Sequence, residues 1–361
     1  MNPNLAPINE QSPVLTQAVA PLLAWYRQNA RAMPWRDDPV PYHVWLSEVM
    51  LQQTRIEAAR AYYTRFLQAL PTIADLAAVE EEALLKLWEG LGYYSRARNL
   101  RKAAQIVMEQ HGGTLPASPE ELRNLPGIGE YTAGAVASIA FGIPAPAVDG
   151  NVLRVLARLL AFWDDVTRQD VKKQCAALLA TAIPAEHPGD FNQALMELGE
   201  VVCIPNGVPL CAQCPLAQIC RGLAQDCAAD LPVRAPKKPP VPAQRTIVLL
   251  TAQKKILLFR REEKGLLAGL YEPLNLEGAR EIDDLRQAVE ALGGIVEQME
   301  YLGAALHRFT HIEWHMEGYL VETQAFAPPP GAVWASAEEL GQYALPSAFR
   351  AYTAGLPAIL A

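Results

Sequence analysis

Four cysteines fall within eighteen residues, Cys203, Cys211, Cys214 and Cys220, with seven, two and five residues between them. Clustering of this kind points to metal rather than to a disulfide framework. Cys211-x-x-Cys214 turns two thiolates toward one centre, and the flanking cysteines can complete a set of four. Such a set suits zinc or an iron–sulfur cluster, and spacing leaves both open. Zinc ribbons more often carry two well-separated Cys-x-x-Cys pairs, whereas this run is asymmetric, with Pro215 just after a ligand. Cys175 and Cys227 stand outside the group and read as incidental or buried thiols. A second chemistry is offered by two carboxylates. Glu48 lies in Val44-Trp45-Leu46-Ser47-Glu48-Val49-Met50-Leu51, among few polar neighbours. A carboxyl desolvated there has its pKa raised and suits a general acid, although a surface Glu on an amphipathic helix would look the same in this window. Asp149, in Val148-Asp149-Gly150-Asn151, precedes a leucine-rich helix and is equally compatible with a plain helix cap. The third element is Leu125-Pro126-Gly127-Ile128-Gly129. Two close glycines ahead of a helix allow a tight turn whose N–H groups can hold a phosphate without base preference, or merely join two helices.

These groups must be carried by a framework, and the framework changes along the chain. Apolar residues recur at three- and four-residue steps in Val14–Gln28, Val44–Leu70, Glu80–Trp88, Arg98–Gln110, Tyr131–Phe141, Asn151–Phe162, Val171–Ile183 and Asn192–Val202, which predicts helix after helix. Residues 228–245 are rich in proline and charge and predict an extended linker. Beyond it, Thr246–Thr251 and Lys255–Arg260 read as paired strands, Asp283–Leu292 as a helix, and His311–Glu317 as a half-buried strand of period two. Late helices are expected near Ala337–Tyr343 and Ser347–Leu356. The expected organisation is therefore an all-α domain over 1–227, a linker over 228–245 and an α+β domain over 246–361.

With 361 residues, two domains are the natural expectation. An apolar fraction of 51% is ample for their cores, and nothing suggests disorder or a coiled coil. No run of about 18 apolar residues predicts a membrane span. The first residues lack the basic and apolar regions of a secretory leader, so a cytoplasmic protein is expected. The net charge of −8 argues mildly against a nucleic-acid partner, but local patches decide phosphate contact. The densest basic stretch is Ser95–Lys102, with a second run at Arg234, Lys237 and Lys238.

The motifs gain weight from their order: LSEVMLQQT around Glu48, GLGYYSRARNL, LPGIGEYTAGAVASIAFG, VDGNVLRVLAR, FNQALMELG, then the cysteines. In that order the chain resembles the MutY adenine DNA glycosylases, within the helix-hairpin-helix superfamily that includes endonuclease III. The resemblance is dense over residues 20–225 and looser beyond. It implies an all-α helix-hairpin-helix glycosylase domain, the hairpin at about 125–141, joined to an α+β Nudix-like domain. It also implies a 4Fe-4S cluster held by Cys203, Cys211, Cys214 and Cys220 in the loop 203–220. The first spacer is one residue longer than the family's usual six.

Further implications attach to single residues. Glu48 would protonate adenine, at N7, and Asp149 would stabilise the cationic sugar or trap it, as carboxylate pairs do in glycosidases. Asn151 would orient Asp149, with Tyr131 beside both. Arg31 and Gln193 would hold the flipped adenine, Gln53 and Tyr93 would wedge into the duplex, and Gly127 and Gly129 would bind phosphate. Lyases of the superfamily carry a lysine where this chain has Tyr131, so a monofunctional enzyme is implied. The helix Leu285–Gly293 lacks the paired glutamates of a Nudix hydrolase, which leaves recognition as its domain's role. Phe309, Thr310 and His311 match the loop that reads oxidised guanine, with Thr310 where Ser is common. The expected partner is double-stranded DNA with adenine opposite 8-oxoguanine or guanine, bound by a monomer. Two other readings stay open at this point, a bifunctional glycosylase/lyase and a noncatalytic iron–sulfur DNA-binding protein.

Overall fold

The computed structural model describes residues 8–236 and 238–360. The first seven residues, on which part of the leader reading rests, and Lys237 of the second basic run lie outside them. The helical pattern resolves into α1 (Ile8–Asn29), α2 (Pro34–Asp37), α3 (Pro41–Leu51), α4 (Ile56–Ala69), α5 (Ile73–Ala78), α6 (Glu81–Leu87) and α7 (Ser95–Gln110). After these come α8 (Pro119–Leu122), α9 (Glu130–Phe141), α10 (Gly150–Leu160), α11 (Gln169–Ala180), α12 (Pro188–Val201) and α13 (Arg221–Ala224). No described helix is long and apolar enough to cross a membrane.

The chain divides into two units. The first runs through Val79 and resumes from Asn99 to Pro236; the second joins Glu80–Arg98 to the chain from Lys238 onward. This departs from a boundary set by the proline-rich stretch alone. Part of that stretch packs into the first unit, where Leu231 is buried against Ala161 and Cys227. The central core of the first unit gathers Leu15 and Leu22 of α1, Leu156 and Leu159 of α10, Leu178 of α11, and Leu195 and Leu198 of α12. Helix burial of this kind follows directly from the three-four spacing.

One expected helix is two. The periodicity of Val44–Leu70 is interrupted after Leu51, where Gln53 takes a left-handed conformation, φ 58°, and α4 restarts beyond Arg55. A non-glycine residue in that region costs of order 1 kcal/mol, so periodicity does not announce the break.

Close helix contacts set up the path to Asp149. Gly134 lies in the middle of α9, where glycine is about 1 kcal/mol worse than alanine, so its presence needs a steric reason. A Cβ there would stand 2.0 Å from the carbonyl oxygen of Pro146. The segment leading to Asp149 therefore lies directly across the helix. Asn192 of α12, wholly buried, ties the same segment down. Its amide nitrogen donates to Ser138 Oγ and to the Ala145 carbonyl, both at 2.8 Å, and its oxygen accepts from the Ala147 N–H at 3.2 Å.

The second unit is built on one sheet: β1 (Val241–Ala252), β2 (Lys255–Arg260), β3 (Tyr271–Glu272), β4 (Leu274–Glu277), β5 (Val296–Arg308), β6 (Ile312–Thr323) and β7 (Ala332–Ser336). Its order is β3-β2-β1-β6-β5, with β4 paired to β1 and β7 to β2. β1 and β6 run parallel, Val241 opposite Ile312 through Thr251 opposite Glu322, and the other pairs are antiparallel. The last five residues of the expected linker, 241–245, belong to β1, because they pair with β6. The alternation of β1 sends Ile247 and Leu249 to one core and Val248 and Leu250 to the other. The first core is completed by Phe349, Tyr352 and Leu356, the second by Leu285 and Val289 of α14 (Ile282–Ala291). The late helices are shorter than expected, a 3₁₀ turn over Glu339–Gln342, another over Ser347–Phe349, then α15 (Arg350–Thr353) and α16 (Leu356–Ile359).

Gly134→Ala is expected to lower the free energy of unfolding by about 1–3 kcal/mol, the usual cost of overpacking. Gly129→Ala, where a Cβ meets nothing within 4 Å, should change it by less than about 0.5 kcal/mol. Urea unfolding of both variants measures the difference, and equal midpoints would contradict the steric account.

Candidate active site

A cavity of about 740 Å³ opens in the first unit, a volume suited to a small organic ligand. Glu48, Asp149, Tyr131, Asn151, Arg31, Gln193 and Gln53 all line it, residues drawn from segments far apart in sequence. Its wall also includes Arg36, Met196 and Glu197, which sequence reading did not single out.

Glu48 sits on α3, 7% exposed, with its carboxylate accepting a 2.6 Å hydrogen bond from the Tyr131 hydroxyl. Burial pushes its pKa up to about 7. The Tyr131 bond and Arg36 pull downward, and the negative charge of Asp149 pushes further up. Of the two readings of this residue, the buried one holds: Trp45, Leu46, Val49 and Met50 around it are buried too. Tyr131, on the first turn of α9, is held far from ionisation by the same burial, and its oxygen also touches Met196 Sδ at 3.3 Å.

Asp149 is a helix cap and a cavity group at once. Its Oδ1 accepts from the N–H groups of Asn151 (2.9 Å) and Val152 (2.7 Å) at the start of α10, and its Oδ2 accepts from the Asn151 side-chain nitrogen at 2.9 Å. Burial holds its carboxyl above the usual aspartate range, while these three donors and Arg154 favour the charged form. Two carboxyls in one cavity with unequal donor sets are pushed toward different protonation states. Glu48 accepts one hydrogen bond here and Asp149 three, so the two carboxyls are held unequally. Asn151 is fixed in turn by Arg154, whose Nη2 donates to Asn151 Oδ1 and to the Gly199 carbonyl, each at 2.7 Å. At Gly199 a Cβ would meet Asn151 Cβ at 2.7 Å, so α12 needs glycine there to reach α10.

The base-holding candidates stand differently from one another. Arg31, one-third exposed, is bound through Nε to Glu197 at 2.6 Å. Gln193 presents its carbonyl oxygen to Arg36 Nε at 2.9 Å. Gln53 is exposed at the cavity mouth in its left-handed turn. Gly127 is also left-handed, φ 79°, and Gly129 caps α9 in extended conformation.

The four clustered cysteines line one small pocket with Arg158, Pro209 and Leu223. All four are free thiols. Burial pushes Cys214 up to about 11 and raises Cys211 and Cys220, so thiolates there need a compensating cation. Arg158, itself buried, donates to Cys203 Sγ at 3.3 Å, and Arg154 Nε donates to the Cys203 carbonyl at 2.7 Å. The long first spacer forms an exposed loop, with Gly207 left-handed and Val208 at its surface, so the added residue disturbs no core. Among the described residues, no three His, Cys, Asp or Glu side chains are grouped as ligands of one metal ion.

In the second unit, Tyr93 is 47% exposed with φ 47°, and its hydroxyl lies 3.0 Å from Thr310 Oγ1. Two residues read separately from sequence are thus direct neighbours. Arg96 supports the Tyr93 turn by donating to the carbonyls of Leu91 and Gly92 beneath the rings of Trp88 and Tyr93. Phe309 does not point out with its neighbours. Its ring packs on Trp314, centroids 4.9 Å apart, and anchors the turn from which Thr310 and His311 project into solvent.

Residues 46–181 match the model of the HhH-GPD superfamily of base excision DNA repair proteins, and residues 245–355 match a NUDIX domain. Adenine DNA glycosylase of Homo sapiens is 37% identical over 93% of this chain and 74% of that protein. The enzyme of Buchnera aphidicola (subspecies Schizaphis graminum) is 31% identical over 84% of this chain and 87% of its own length. Among solved structures, a thermostable thymine-DNA glycosylase superposes with a TM-score of 0.55 at 26% identity, covering 60% of this chain and 99% of that one. A trapped endonuclease III–DNA covalent intermediate gives 0.51 at 26% identity, covering 62% and 99%. A helical glycosylase domain, a Nudix-like sheet domain and a cavity bearing two carboxylates therefore come together in one chain, which belongs to the MutY family of adenine DNA glycosylases, the DNA N-glycosylases that remove adenine in base excision repair.

Proposed function

We propose that this protein removes adenine mispaired with 8-oxoguanine, or with guanine, from double-stranded DNA, and that it does so by hydrolysis alone, leaving the strand uncut. The observation that carries the reading is the Glu48 carboxyl, desolvated and poised near neutrality in a base-sized cavity that it shares with the hydrogen-bonded carboxyl of Asp149. Adenine leaves poorly as an anion. An extrahelical adenine in this cavity would take the Glu48 proton at N7 while the bond from N9 to the sugar breaks and its electron pair goes to the base. The oxocarbenium-like sugar left behind would be stabilised by the Asp149 carboxylate, which three hydrogen bonds keep oriented. Water then adds to the sugar carbon and gives up its proton to a carboxylate, completing hydrolysis. Flipping costs a few kcal/mol, least for a mispaired base.

The monofunctional reading rests on Tyr131 in place of the lyase lysine and on a cavity lined by no lysine among the described residues. Recognition of the oxidised base is assigned to the Tyr93–Thr310 pair with His311, exposed polar groups on two adjoining turns. Cys203, Cys211, Cys214 and Cys220 would hold a 4Fe-4S cluster. Four thiols set round a pocket suit a polynuclear cluster better than a single zinc, and the buried cation Arg158 beside Cys203 suits an anionic, thiolate-ligated group. The role of the cluster is structural, bracing the loop that Arg154 connects to Asn151. A monomer working in the reducing cytoplasm accords with six free thiols.

Four outcomes test this reading. Single-turnover release of adenine should fall as pH rises through about 7, since the active form of Glu48 is the protonated one and its raised pKa is where that form is lost. Glu48→Gln should cut the rate by roughly 10²–10⁴-fold while damaged-duplex binding persists; a near-normal rate would assign the proton to another group. In gel assays on duplexes carrying adenine opposite 8-oxoguanine or guanine, the first should react faster, and strand breaks should develop only after alkali. Breaks without alkali, or borohydride trapping of an enzyme–DNA adduct at the rate of base release, would establish a lyase. Purified protein should carry about four irons per chain by metal analysis; one zinc in a fully active preparation would overturn the cluster assignment.

A further inference from the structure

Glu197 of α12 is one of the most deeply buried charges in the first unit, its side chain 2% exposed, yet it is not one of the groups that the hydrolysis requires. Two guanidinium groups converge on it. Arg31 donates through Nε at 2.6 Å, with its backbone N–H at 3.2 Å, and Arg36 donates through Nη2 at 2.9 Å. The other nitrogens of Arg36 are also committed, Nη1 to the Arg31 carbonyl at 2.8 Å and Nε to Gln193 Oε1 at 2.9 Å. An arginine offers donors only, so the Gln193 carboxamide can meet it only with its oxygen. What Gln193 has left for the cavity is its NH₂.

We infer that Glu197 is a positioning residue for base selection: by clamping Arg36 it fixes the Gln193 amide with its nitrogen toward the cavity, and by neutralising Arg36 it keeps that cation from ionising Glu48. The first effect makes the Gln193 wall a donor. A base that meets it with a ring-nitrogen lone pair, as adenine can, is accepted, whereas one that meets it with a ring N–H is not. The second effect couples base selection to the acid, because Arg36 lowers the Glu48 pKa and Glu197 offsets its charge. The charged or titratable groups around the cavity are the cations Arg31, Arg36 and Arg55, the carboxyls Glu197, Glu200 and Asp149, and Tyr131. Among these, Arg36 is the cation that acts on Glu48, and Glu197 is the carboxylate paired with it. This inference rests on the adenine-hydrolysis reading given above.

The test uses the full chain and measures adenine release in single turnovers across pH, with binding of a duplex carrying a non-hydrolysable 2′-fluoro adenosine as a second readout. In Glu197→Gln the alkaline limb of the rate profile should move to lower pH, a displacement of about one pH unit costing roughly fivefold at pH 7. Arg36→Gln should move the same limb to higher pH while weakening capture of the analogue. Opposite displacements are not produced by general destabilisation, which lowers rates without moving the limb. If Glu197→Gln does not fold by circular dichroism, Arg36→Gln decides alone through the direction of its shift. Limbs that stay at the wild-type pH in the folded variants would overturn the inference. Failure of the wild-type protein itself to release adenine would instead overturn the reading on which it rests.

Discussion

Desolvation of Glu48 is the interaction on which the site depends. A carboxyl in water is ionised at neutral pH; burial, with the charge of Asp149 adding to it, raises Glu48 into the range where a proton is kept. Burial is costly unless the chain arranges partners, and the partners here come from four directions. α9 brings Tyr131, α10 begins at Asp149, α2 supplies Arg36, and α12 closes the wall with Gln193 and Glu197. Each must come close, which explains why glycines stand in the interiors of α9 and α12 and why the fully buried Asn192 holds the segment before Asp149.

Asp149 also shows how one local motif serves two ends. Its carboxylate satisfies two orphan N–H groups at the head of α10, which any aspartate cap would do. In doing so it acquires donors that favour its charged form beside the cavity. The hydrogen bonds continue through Asn151 to Arg154 and on to the Cys203 carbonyl. The cysteine loop and the cavity aspartate are therefore linked through the same buried guanidinium.

The second unit solves a different problem, presenting polar groups outward from a rigid sheet. β1 is buried on both faces, and the β5–β6 turn is pinned by Phe309 on Trp314. The Tyr93 turn, with three left-handed residues at Gly90, Gly92 and Tyr93, is stiffened by the Arg96 guanidinium. Exposed side chains on such anchored turns lose little further freedom when they bind a partner.

The sequence by itself determined the helical first unit, the α+β second unit and the order of the motifs, because apolar spacing reports which face of each element is buried. It also determined the four cysteines as a group and Glu48 and Asp149 as candidates, since residue type and near neighbours carry that information. It was silent on what depends on long-range approach. The break at Gln53, the edge strand β5 with its irregular register around Gly303, and the membership of residues 80–98 in the second unit are set by packing that no local window contains. The same is true of Arg36, Asn192 and Glu197. An arginine, an asparagine and a glutamate in helices read as solvated surface until the fold removes water from around them. Only the tertiary structure, by burying Glu197 and turning both arginines onto it, decided that they belong to the site.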